Sequence, residues 1–72
     1  MEDKSFYYVS SWDDATVYTR ALESMGIPHA VEAPRNGLPI NEGELAIVFP
    51  SMSSRNYHAV RELFGSPGTL YP

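Results

Sequence analysis

The side chains that could do chemistry in this chain are few, and their spacing works against most of the chemistry they suggest. Asp13 and Asp14 are neighbours, so on a helix they point about 100° apart and do not face one substrate as an acid and base pair. At the start of a helix, however, both complement the positive end of its dipole. His29 and Glu32 stand three apart on an extended segment and so on opposite faces, and His58 adds no third ligand, so no metal site is expected. Serines are plentiful, but neither G-x-S-x-G nor Ser-x-x-Lys occurs. Arg35-Asn36-Gly37 lacks the glycine and lysine spacing of a phosphate loop and does not open a helix. It remains a candidate contact for a small anionic ligand, with Arg35 as the nearby cation. The aromatic residues are the more informative group. Tyr7, Tyr8, Trp12 and Tyr71, with Val17, are the candidate anchors for a protein partner.

The elements that must carry these residues follow from local signals. The stretch from Ser11 to Pro28 contains a helix start, face and stop. Ser11 and Asp14 have the form of a capping box, and Ala15, Tyr18, Ala21, Leu22 and Met25 fall on one arc of about 120°. Gly26 and Pro28 end the helix, which runs from about Trp12 to Met25, and Ile27 is expected to pack against that end.

Before it, the aromatic run from Ser5 to Ser10 reads as a first strand with both faces covered. His29 to Ala33 reads as a short second strand, residues 35–43 as a loop with an Asn-Gly turn, and Glu44 to Phe49 as a central third strand. A second helix spans about Arg55 to Phe64, capped by the preceding serines and stopped by Gly65. Tyr57, Val60, Leu63 and Phe64 form its apolar face. The tail, residues 66–72, either frays or adds a stub of a fourth strand at Thr69 to Tyr71.

The expected fold is α+β, a ferredoxin-like β-α-β-β-α(-β) in one domain over residues 1–65. A right-handed crossover through the first helix makes strands 1 and 2 parallel with a gap that strand 3 fills. The expected sheet is therefore antiparallel in order 1-3-2, with both helices on one face. The outer edge of strand 1 is left open in that arrangement, which calls for the tail, a second copy or another protein to cover it.

Composition narrows the function classes. A content of 43% hydrophobic and 19% charged residues is that of a globular domain, and the absence of cysteine removes disulfides and thiolate metal sites. A net charge of −4 with five Lys and Arg argues against nucleic acid and leaves open a basic protein surface. No apolar run approaches the roughly 20 residues of a membrane helix, and Met1-Glu2-Asp3-Lys4 does not begin a signal peptide. A cytoplasmic location and no membrane partner are expected.

The run A-L-E-S-M-G-I-P at Ala21 to Pro28, after a short strand and D-D-A and before a Gly/Pro-containing loop and L-A-I-V-F-P, resembles a family of small prokaryotic signal-transducing proteins. Their shape is related to that of the nitrogen-regulatory PII proteins. The likeness covers roughly Phe6 to Phe64 and centres on Leu22, Glu23, Gly26, Ile27 and Pro28. It implies the fold and a regulatory role, and it transfers no catalytic residue. The family is often acidic after the last strand, where this chain has Ser-Met-Ser-Ser, and the tail beyond Gly65 is its own.

The expected function is a non-enzymatic interaction or regulatory module, without cofactor, acting through the strand 1 edge and its aromatic flank on a protein partner or a second copy as a homodimer. The alternatives are a PII-like small-ligand sensor using residues 35–43, with contacts from Arg35, Asn36 and Gly37, and an inhibitor of a host protein encoded by a phage or mobile element.

Overall fold

The computed structural model describes residues 3–34 and 37–72. The elements are β1 (Phe6–Ser11), α1 (Trp12–Met25), β2 (Ala30–Glu32), β3 (Glu44–Phe49), α2 (Ser54–Phe64) and β4 (Thr69–Leu70). They form a small α+β structure with one antiparallel sheet in the order β2-β3-β1-β4. No helix among the described residues is long and apolar enough to cross a membrane.

α1 begins and ends where its local chemistry requires. The Ser11 hydroxyl accepts from the Asp14 N–H at 3.1 Å, and Asp13 and Asp14 occupy the first turn. Gly26 takes φ 69°, a conformation that costs other residues about 1 kcal/mol or more. It allows the Gly26 N–H to reach the Glu23 carbonyl at 3.1 Å and the Ile27 N–H to reach that of Leu22 at 3.0 Å. Ile27 is buried as a result, while Met25, expected in the apolar stripe, is exposed.

The sheet order differs from the expected 1-3-2 by a fourth strand on the outer side of β1. β1 pairs along its whole length with β3, from Phe6 opposite Phe49 to Ser11 opposite Glu44, and β4 pairs with its beginning, Leu70 opposite Phe6 and Thr69 opposite Tyr7. β1 is thus an inner strand at Phe6 and Tyr7, not an open edge. The tail is held by three further contacts. The Tyr8 hydroxyl donates to the Ser66 carbonyl at 2.8 Å, the Tyr71 N–H donates to the Ser5 carbonyl at 3.0 Å, and Gly68 lies against Phe6 and Tyr8.

Alternation along β1 and β3 sends residues to two covered faces. On one, Phe6, Tyr8, Leu45, Ile47 and Phe49 meet Ala15 and Leu22 of α1, Ile27, and Val60 of α2, so both helices pack on the same side. The rings interlock: Phe6 stacks on Phe49 at 5.1 Å and Tyr8 on Phe64 at 4.0 Å. On the other face, Tyr7, Ala46 and Val48 are covered by Leu38 and Ile40 from the long loop and by Tyr71 from the tail. That double cover explains why these strands read as nearly continuous hydrophobic runs.

Candidate interaction surface

Trp12 is the first residue of α1, placed where β1 turns into the helix, and it is 59% exposed. All three Phe and five Tyr residues are buried or half-buried. The register brings the same end of the sheet together from three segments: Ser11 faces Glu44 across β1 and β3, and Glu32 faces Ala46 just before the chain leaves β2. There Trp12, Ala33, Pro34, Glu42 and Gly43 line a cleft of about 370 Å³. Its lining combines a tryptophan, the apolar side chains of Ala33 and Pro34, and one exposed acid.

The other expected anchors do not join it. Tyr7 and Tyr8 are buried, because β3 and β4 flank the strand and its two faces are packed, so neither is a surface contact. Tyr71 is half-buried, edge-on to Tyr7 at 6.2 Å. Val17 is 66% exposed but lies about 140° around α1 from Trp12, and so belongs to a different patch. Arg35 and Asn36 lie outside the described residues. Gly37 is exposed with φ 88°, and the following Leu38 turns the loop inward onto the sheet.

A second cleft, of about 390 Å³, lies beside β4 between Ser5, Phe6, Ser51, Met52, Tyr57, Gly68 and Leu70. It carries no charged side chain, and its Phe6 and Tyr57 belong to the core. Among the described residues no three His, Cys, Asp or Glu side chains meet as metal ligands. His29 places Nδ1 2.9 Å from the Ile27 carbonyl, and His58 is exposed.

The sequence reading missed a polar cluster on the second face of the sheet. Buried Glu32 is 2.6 Å from the Lys4 ammonium through Oε2 and accepts from the Tyr71 hydroxyl at 2.8 Å through Oε1. The Lys4 ammonium also lies 5.3 Å from the centre of the Tyr71 ring. The cluster ties both ends of the chain to β2. Burial is the largest influence on Glu32 and pushes its carboxyl up, but the hydrogen bonds from Lys4 and Tyr71 with the Lys4 charge outweigh it. The carboxyl ends below the ordinary glutamate value of 4.5, and Lys4 is raised, chiefly by its hydrogen bond to Glu32.

A carboxyl that binds its proton less tightly in the folded chain makes acid favour unfolding. Its stabilising contribution is complete above the ordinary value and disappears as pH falls through the depressed one. Glu32→Gln is therefore expected to lower Tm by on the order of 4 °C at pH 7, and the gap from wild type is expected to close as pH falls below the ordinary value of 4.5. Calorimetry over that range checks it; a gap that does not change with pH would contradict the ion-pair account.

Comparison of the chain with protein-family models, curated proteins and solved structures finds no match in any of the three. The likeness to the signal-transducing family rests on Leu22, Glu23, Gly26, Ile27 and Pro28, whose visible work is local: they end α1 and turn the chain towards β2.

Proposed function

We propose that the chain is a small non-enzymatic interaction module whose contact surface is Trp12 and the cleft beside it, in place of the β1 edge. The observation that carries this is the exposure of Trp12 in a chain of only 72 residues that draws its other aromatic rings into or against the core. A large rigid side chain left in water gains nothing for folding, and tryptophan at the rim of a cleft is among the strongest anchors in protein interfaces. The regulatory role implied by the family resemblance fits such a module. The fold is read as ferredoxin-like. Its support is that β1-α1-β2 and β3-α2-β4 each step over one intervening strand, with both helices on one face.

Trp12→Ala is expected to leave the melting temperature close to wild type and to weaken retention of a partner at least about tenfold. The check is quantitative capture from the native host with both forms of the protein. Equal retention by the two would refute the reading. An inhibitor role is the case in which the retained protein is an enzyme.

The size of the cleft favours a second reading, since about 370 Å³ falls in the range that holds small ligands. A sensor of that kind would be stabilised by about 2.7 kcal/mol at a hundred times the dissociation constant, visible in a thermal-shift panel of nucleotides and metabolites. No shift across the panel would retire it.

A further inference from the structure

We propose that the Trp12 cleft takes a cationic side chain, arginine or lysine, of a partner protein. The inference rests on the reading of Trp12 as the contact surface and adds the chemistry of what contacts it. The walls match the two halves of such a side chain. Its long apolar stem would lie along Trp12, Ala33 and Pro34, and its charged head would reach the Glu42 end of the cleft. The indole face attracts a cation more strongly than any other aromatic ring.

The surrounding charge points the same way. Asp13 and Asp14 follow Trp12 directly and are exposed, and Glu44 faces Ser11, the residue before Trp12. A helix start would normally draw an anion, but the two aspartates already answer that partial charge and leave an excess of negative charge beside the cleft. The described basic residues lie elsewhere. Lys4 is tied to Glu32, Arg20 lies about 12 Å further along α1, and Arg55 and Arg61 are on α2. With a net charge of −4, the chain would repel an acidic segment at this end and steer a basic one towards it.

Trp12 is the single tryptophan, so its indole N–H gives one isolated NMR signal that reports the cleft. The test titrates the full chain with three peptides that differ only in a central X-Leu-X, where X is Arg, Gln or Glu. The Arg peptide is expected to shift the indole signal saturably, at least about tenfold more tightly than the Gln or Glu peptide. Glu42→Lys is expected to weaken it by a similar factor, and moderate salt to weaken it several-fold.

A Gln peptide that binds as tightly as the Arg peptide overturns the charge inference and leaves Trp12 as a contact surface. Indifference to all three peptides also overturns it, whereas the broader reading fails separately, on equal partner retention by Trp12→Ala. Two further results would reassign the cleft and overturn the proposal of a partner. One is an indole signal that moves on Arg35→Gln without peptide, which assigns the cleft to the chain's own arginine. The other is a signal that changes with protein concentration and ceases to do so in an Arg55→Gln, Arg61→Gln double variant, which assigns it to a second copy.

Discussion

Phe49→Ala is expected to remove about half of the fold's stability and to lower its unfolding midpoint accordingly. Phe49 is fully buried at the end of β3, stacked on Phe6 at 5.1 Å and met edge-on by Tyr8 at 6.0 Å and Phe64 at 6.1 Å. Its ring joins β1, β3 and α2 in one cluster, so three neighbours lose a contact together. Truncating a buried phenylalanine to alanine costs about 3–5 kcal/mol. At roughly 0.05–0.15 kcal/mol per residue, a domain this small has only about 4–11 kcal/mol of total stability. Phe49→Leu keeps most of the volume and should retain the fold with a lower midpoint. Urea unfolding followed by circular dichroism reads both, and a Phe49→Ala midpoint close to wild type would contradict the placement of this ring.

Gly68→Ala is expected to detach the tail at a cost of about 1–3 kcal/mol. A methyl group at this position would stand 2.8 Å from Cδ2 of Phe6, 3.1 Å from Cε2 of Tyr8 and 3.2 Å from the Tyr7 carbonyl oxygen. Neither ring can yield cheaply, because Phe6 is held between Phe49 and Tyr57, and Tyr8 is stacked on Phe64. β4 must then move off β1, and the bond from the Tyr71 N–H to the Ser5 carbonyl goes with it. Hydrogen exchange at the Tyr71 amide should become fast while the amides of β3, which pairs with β1 and β2 but not with β4, stay protected. Undiminished protection at Tyr71 would show that the tail tolerates the methyl group.

What could be read in the chain follows the range of the forces involved. The limits of α1 are legible because Ser11, Asp14, Gly26 and Pro28 act within a turn of their own position, and β3 is legible because its hydrophobic run is unbroken. The place of β1 in the sheet is not, since a two-residue strand such as β4 has no periodicity and depends on contacts that cross the whole chain. Gly68 reads as an ordinary turn glycine until the rings of Phe6 and Tyr8 are set beside it. Tyr7 and Tyr8 show the cost: the same aromatic run signals two covered faces and suggests an exposed edge, and only the docked tail separates these meanings. The cluster of Lys4, Glu32 and Tyr71 had no sequence signal, because its members meet only after the sheet forms. Trp12 could be singled out as an aromatic beside an N-cap, but a ring there can equally pack back onto the first turn, so its exposure is visible only in the structure.

The most direct measurement is the fluorescence of Trp12 in the free protein. A ring standing in water should emit at the wavelength of N-acetyl-tryptophanamide in the same buffer and be quenched by acrylamide nearly as readily. Emission shifted to the blue and shielded from acrylamide, in a sample verified as monomeric, would mean that the chain covers its own tryptophan, and the surface on which the function was built would not exist.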